Sequence, residues 1–249
     1  MPESSNTHRT LQVLRTERIT PRMTRVTLGG DELSGYPEFG ADQRVKLFFP
    51  VAGQRRPAMP RASSGGPVWP PGEPRPVIRS YTVRRFDPLA GELDVDFVLH
   101  DAHGPAAEWA QRAAPGDWVG ISEPGGRYQP DPTALAHLII GDESALPAIA
   151  TVLRELAEFA GPVRVYIEVA DAAEEQPLPD TPNRELRWLH RGGEPPGRLL
   201  VNTLAATPLP ADVPAQRCQA WLSAEAMAVR DIRAELLNER GLPRKLVYA

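Results

Sequence analysis

Three short segments of this sequence hold residue types whose spacing could do chemistry. The first is Arg79-Ser80-Tyr81-Thr82. On a strand, Arg79 and Tyr81 would share one face and Ser80 and Thr82 the other, because side chains alternate. A guanidinium so placed can grip a diphosphate, and a phenol beside it can cover a planar ring system. The plainer alternative is a half-buried strand with a surface arginine. The second segment runs from Asp96-Phe97-Val98-Leu99-His100 to Gly104-Pro105-Ala106-Ala107-Glu108-Trp109, a strand that leads through a loop to the start of a helix. Unpaired N–H groups there suit a phosphate. Gly104 lets backbone approach a ligand, and Pro105 presets the first turn without removing a needed donor. An ordinary strand-to-helix connection, with His100 a hydrogen-bonded imidazole, is the alternative. The third, Gly141-Asp142-Glu143-Ser144-Ala145-Leu146-Pro147, follows a buried strand and opens a helix, where α/β sheets take nucleotides. It lacks the three-glycine dinucleotide fingerprint. Asp142 and Ser144 could equally be helix caps, and Glu143 a first-turn acid.

The elements that must position these residues fall into two kinds. Leu11, Val13, Ile19, Val26 and Leu28 alternate around a turn at Thr20-Pro21, which predicts an opening pair of strands. Further strands are predicted at 44–49, 77–86, 92–100 and 118–122, with a short helix over 106–113. Asp87-Pro88-Leu89-Ala90-Gly91 is hairpin-forming, whereas 51–78 is rich in Pro, Gly, Arg and Ser and reads as a long inserted loop. Six short strands and one helix predict a closed antiparallel β-barrel. The grammar changes near residues 130–133. Strand 137–140, helix 144–159 and strand 163–169 make a parallel unit, with Leu146, Ile149, Leu153, Leu156 and Ala160 on one helical face. Strands at 186–190 and 216–222, a last helix capped by Ser223 and ending at Gly241, and a strand at 245–248 complete it. The expectation is a six-stranded barrel domain over 1–133 followed by an α/β nucleotide-binding domain over 134–249.

Composition narrows the function classes. A length of 249 residues allows two domains with cores of their own. The net charge of −4, without a like-charged run, disfavours nucleic acid as the main partner. Cys218 is the single cysteine; it can form no internal disulfide, and its apolar neighbours predict an inert buried thiol. One cysteine and scattered histidines offer no metal or iron–sulfur site. The first thirty residues are polar, with Arg9, Arg15 and Arg18, so neither a signal peptide nor a membrane span is expected, and the cytoplasm is the default.

A barrel followed by a parallel α/β domain is used by flavin reductases, but fold alone assigns no function. The residues go further. Arg79-Ser-Tyr-Thr-Val-Arg84, Asp96-Phe-Val-Leu-His100 with Gly104-Pro-Ala, and Gly141-Asp-Glu-Ser-Ala-Leu-Pro-Ala-Ile-Ala150 resemble, in turn, the flavin strand, the pyrophosphate segment and the strongest signature of the siderophore-interacting protein family. Asp42-Gln-Arg-Val-Lys46, Glu175-Gln-Pro-Leu178 and Trp188-Leu-His-Arg-Gly-Gly193 are also similar to it. That resemblance implies an FAD-dependent reductase that draws electrons from NADPH or NADH and releases iron from ferric siderophores. It implies cofactor contacts at Arg79, Ser80, Tyr81, Thr82, Asp96, Val98, His100, Gly104, Pro105, Ala106 and Ala107, with Asp142, Ser144, Ala145 and Glu225 from the second domain. Lys46 and Arg127 become candidates for the anionic ferric chelate, and no side chain is an obligatory nucleophile or acid. Arg191 and Arg198 are candidates for a 2′-phosphate. A monomer is expected.

The departures from the family pattern are specific. Ala107 stands where Ser or Thr is common, Glu123-Pro-Gly-Gly126 replaces Gly-Pro-x-Gly, and Ala224 replaces a glycine before Glu225. The sequence given ends at Ala249, before a Gly-Tyr-Trp-Arg segment seen in relatives. Two alternatives follow: a general NAD(P)H:flavin or electron-transfer reductase, and a truncated relative that binds FAD or siderophore without turnover.

Overall fold

A computed structural model describes residues 8–37, 40–99, 104–126 and 128–249. His100 and Arg127, both expected at the site, lie outside these residues. The chain forms two compact units, Met1–Arg127 and Tyr128–Ala249.

The first unit is a curled antiparallel sheet built from β1 (His8–Thr20), β2 (Met23–Gly29), β3 (Arg44–Phe49), β4 (Val77–Thr82), β5 (Arg85–Asp87), β6 (Glu92–Val98) and β7 (Trp118–Ser122). Their order is β4-β3-β7-β1-β2-β6-β5. Seven strands replace the six expected because the stretch predicted as one strand over 77–86 changes partner partway. β4 pairs with β3, and β5 pairs with β6. At the junction, the amide of Val83 donates to the carbonyl of Gln43 (2.8 Å) and that of Arg84 to Asp94 (2.9 Å). The two edge strands are thus consecutive in the chain, and this bent segment, not a continuous ladder, bridges the ends of the sheet.

The interior is filled by the alternating residues that periodicity singles out, among them Leu11, Val13, Val26, Leu28, Val45, Leu47, Leu93, Val95 and Phe97. Helix α1 (Pro105–Arg112) lies against β2, β4 and β6. Its Trp109 sits 5.1 Å from Phe49 and 5.8 Å from Phe97, ring centre to ring centre. The 51–76 segment is not a free loop. Met59 reaches Gly120, Trp69 lies 6.3 Å from Phe48, and the Arg56 guanidinium stacks 3.4 Å over Trp118. It therefore covers part of the sheet's outer face.

The second unit is a parallel sheet of β8 (Ala136–Asp142), β9 (Val163–Val169), β10 (Arg184–His190), β11 (Cys218–Ser223) and β12 (Val247–Tyr248), in the order β10-β9-β8-β11-β12. Helices α2 (Leu146–Glu155), α3 (Arg198–Ala206) and α4 (Ala226–Ala234) accompany it. Cys218 is free and buried, as its apolar setting predicts. The last helix is capped by Glu225 rather than Ser223, and continues past α4 as a π-type turn over Glu235–Glu239.

Candidate functional site

Register decides which side of the barrel wall each candidate occupies. Residues directly opposite one another on paired strands share a face. In the β3–β4 ladder Val45 faces Tyr81, Leu47 faces Arg79 and Phe49 faces Val77. Val45, Leu47 and Phe49 are core residues, so Arg79 and Tyr81 lie on the inward face. Yet Arg79 is exposed. A cation on a core-facing position that still reaches solvent marks an opening in the wall. Its guanidinium donates to the Ile78 carbonyl (2.8 Å) and makes no ion pair among the described residues, so donors remain for an anion.

Tyr81 is fixed beside it. Its ring packs 4.4 Å from Phe97 and 6.3 Å from Phe49. Burial raises its phenol to about 12, partly opposed by the charge of Arg79. The ring is therefore neutral at physiological pH. Thr82 is half-buried and paired with Arg44.

The amino end of α1 adds backbone donors. Gly104 caps it in an extended conformation without a side-chain hydrogen bond, and Pro105 follows. Among the described residues nothing lies within 4 Å of the position a Gly104 side chain would fill. Ala106 is buried and Ala107 packs against the barrel core. An exposed arginine, a clamped neutral aromatic ring and an uncapped helix start are the parts that a cofactor with a flat ring system and a diphosphate needs, so the residues present fit FAD.

Other candidates lie elsewhere. Lys46 pairs with Ser80 on the outer face of the same ladder, opposite to Arg79 and Tyr81. It is exposed, and its charge, after burial, lowers the pKa of His8. Asp96 and Val98 alternate with the core residues Val95 and Phe97, so they too face outward. Asp96 accepts from Arg25 through both oxygens (2.7 and 2.8 Å) and lies 3.7 Å from Arg84, which commits its side chain to holding β2 against β6.

In the second unit the candidates cluster at the carboxyl edge of the sheet. Asp142 is buried at the end of β8 and accepts from the Ser144 amide (2.9 Å) and hydroxyl (2.6 Å). Burial raises its pKa despite these bonds and one from the Glu225 amide. Gly141 is required for packing, since a side chain there would meet the Ala145 methyl at 2.6 Å and the Ser223 carbonyl at 2.9 Å. Glu225 accepts from the Met227 and Ala228 amides (2.7 and 3.1 Å). Asp142 and Glu225 thus both act as helix caps.

Sequence reasoning missed one cluster at this edge. Glu168, fully buried near the end of β9, accepts from the amides of Gly197 (2.7 Å) and Leu199 (3.2 Å) and so holds the start of α3. It also takes a hydrogen bond from Arg191 (3.2 Å), whose guanidinium grips Glu143 at 2.7 and 3.0 Å. The available signal was a lone acid inside the apolar run Val163-Arg-Val-Tyr-Ile-Glu-Val169, since a buried charge needs a partner. Arg191 is therefore already paired, and Arg198 lies 3.7 Å from Glu194 on the surface.

Comparison with known proteins finds a match for each half of the chain. Residues 12–128 match the siderophore-interacting FAD-binding domain, and residues 134–249 match the siderophore-interacting protein domain. The ferric vibriobactin reductase ViuB of Vibrio cholerae serotype O1 is 33% identical over 97% of this chain and 87% of its own. An NADPH-dependent ferric-chelate reductase of Escherichia coli K12 is 31% identical over 96% of this chain and 90% of its own. The crystal structure of a siderophore utilization protein from T. fusca is 39% identical, with a TM-score of 0.76 over 97% of this chain and 90% of that one.

Proposed function

The chain belongs to the siderophore-interacting protein family, and from that membership and the barrel geometry we propose that it is an FAD-dependent reductase releasing iron from ferric siderophores. The observation that carries the reading is Arg79, a guanidinium without an ion pair among the described residues, exposed on a core-facing position beside Tyr81. Arg79 grips the cofactor diphosphate through charge-assisted hydrogen bonds, and the first amides of α1, which have no side-chain cap among the described residues, add to that grip. Tyr81, held by Phe97 and Phe49, lies along the ring system and keeps water from that face.

When bound, FAD supplies the chemistry the side chains lack, accepting a hydride and passing on single electrons. The substrate iron is Fe³⁺ in hard oxygen ligands, which hold Fe²⁺ far less tightly, so one electron frees the metal. Lys46, on the outer face, attracts the anionic chelate at a distance rather than touching the ring. The donor in this reading is NADPH, supported by the name of the Escherichia coli relative. The setting is the cytoplasm and the working unit a monomer. No helix among the described residues is long and apolar enough to cross a membrane.

The test is anaerobic. The FAD-loaded chain is mixed with NADPH, the loss of flavin absorbance is followed, and a ferric siderophore is added with a chromogenic Fe²⁺ trap. The proposal expects bleaching, recovery of flavin colour on adding the chelate, and trapped Fe²⁺ in proportion. Bleaching without Fe²⁺ would make the chain a general flavin reductase. FAD uptake with no bleaching, and no Fe²⁺ even after dithionite, would make it a binder.

A further inference from the structure

Phosphates need cations, and at the carboxyl edge of the parallel sheet the fold holds Arg191 from several sides. Its amide donates to the Val169 carbonyl (2.8 Å), and that of Gly192 to Ala170 (3.1 Å), so the backbone is pinned to the end of β9. Its guanidinium has two carboxylate partners of different character. Glu168 is fully buried and committed to the start of α3 as well. Glu143, whose side chain is 16% exposed, belongs to the turn that follows β8 and meets Arg191 through both oxygens. That two-pronged contact is also the geometry in which a guanidinium takes a phosphate. Beside it, Gly192 and Gly193 carry no side chain, and no described residue lies within 4 Å of where one would sit.

We propose that Arg191 is this chain's phosphate-binding residue for the nicotinamide donor and that Glu143 fills its guanidinium until a donor phosphate displaces it. The proposal rests on the reading that the chain draws electrons from a nicotinamide dinucleotide. Glu168 keeps Arg191 in place through the exchange, because its carboxylate stays buried and hydrogen-bonded to backbone. Glu143 gives up its contact with Arg191, so the donor must compete with a tethered anion. The turn lacks the glycines with which other α/β sheets admit a diphosphate, and in this chain the cation is supplied from the neighbouring loop after β10. A 2′-phosphate and the dinucleotide diphosphate share this chemistry, and the two donors distinguish them.

Stopped-flow bleaching of the FAD-loaded full chain by NADPH and by NADH provides the test. Glu143→Gln removes the tethered anion, and the half-saturating donor concentration should fall about 10-fold, the scale of one hydrogen bond to a charged group, with a steeper dependence on salt. A fall confined to NADPH assigns the 2′-phosphate, and a fall for both donors assigns the diphosphate. Arg191→Gln should raise the same concentration by a similar factor; its folding is checked by thermal melting, since Glu168 loses a partner. Unchanged half-saturation in Glu143→Gln for both donors would overturn the proposal. If neither nucleotide bleaches any form while dithionite-reduced protein still reduces the chelate, the nicotinamide reading has failed instead. Calorimetry with inorganic pyrophosphate then decides Arg191 alone: tighter binding to Glu143→Gln than to the parent chain keeps the anion site, and equal binding removes it.

Discussion

Tyr81 and Lys46 sit within one residue of being cross-strand neighbours, yet the pleat sends them to opposite sides of the barrel wall. The consequence for Tyr81 is a ring that is rigid and neutral. Tyr81→Phe keeps the stacking surface and should bind FAD within about 2-fold of the parent, whereas Tyr81→Ala should weaken it about 10-fold, in line with aromatic contacts worth ~1 kcal/mol beyond their buried area. A titration followed by flavin fluorescence reads both. In the proposed reading Lys46 acts by attraction across solvent. Lys46→Gln should lower kcat/KM for an anionic chelate about 2- to 3-fold at low salt and hardly at all near 0.5 M salt, where the screening length is only a few ångströms. The types and spacing at 79–82 were legible without a structure. The side of the wall on which Lys46 falls was not, because it depends on the pairing Lys46↔Ser80, which no single strand encodes.

Among the elements, β8 carries a buried titratable group that the chemistry does not use. His137 is fully buried, 3.0 Å from the Tyr128 hydroxyl and 4.5 Å from the Phe159 ring. Its Nε2 has no hydrogen-bond partner among the described residues. Burial lowers its pKa to about 4, against the raising effect of Asp131. Between about 4 and 6.5 the unfolded chain therefore binds more protons at this residue than the folded one. Its contribution to stability is complete above about pH 6.5 and is lost as the pH falls to about 4, up to roughly 3 kcal/mol by linkage. Chemical denaturation of the full chain at pH 7 and pH 4.5 should show that loss in the transition of the second unit, and His137→Gln should flatten the slope. Glu168 sits one strand over. Glu168→Ala removes the hydrogen-bond acceptor for the Gly197 and Leu199 amides and a partner of Arg191. It should cost about 3 kcal/mol, the scale for breaking a buried ion pair, read as a lower denaturant midpoint. The same residue explains why α3 escaped sequence reading. The segment Arg198-Leu-Leu-Val-Asn-Thr-Leu-Ala-Ala206 carries Val201, Asn202 and Thr203, which are mediocre helix formers, and its start is held by an acid from another strand rather than by a local cap.

At the scale of the whole molecule, alternation along the first half and strand–helix–strand grammar along the second were enough to divide the chain into an antiparallel and a parallel unit. What they could not supply was the change of partner at Val83-Arg84 that turns one long strand into β4 and β5. That change follows from curling the sheet so that one bent segment spans its two edges, a tertiary constraint. The 51–76 segment was equally opaque: without periodicity, its folding onto the outer face rests on individual side chains such as Met59, Arg56 and Trp69. The central claim is that the first unit takes FAD on its inward face through Arg79. The direct measurement is the FAD dissociation constant of the purified chain and of Arg79→Ala, from absorbance and fluorescence titrations at fixed salt. A saturable site in the parent chain, weakened by about 10- to 100-fold in Arg79→Ala through loss of a charge-assisted contact, is the predicted result. A chain that takes up no FAD, or an Arg79→Ala variant that binds it as tightly as the parent, would contradict it.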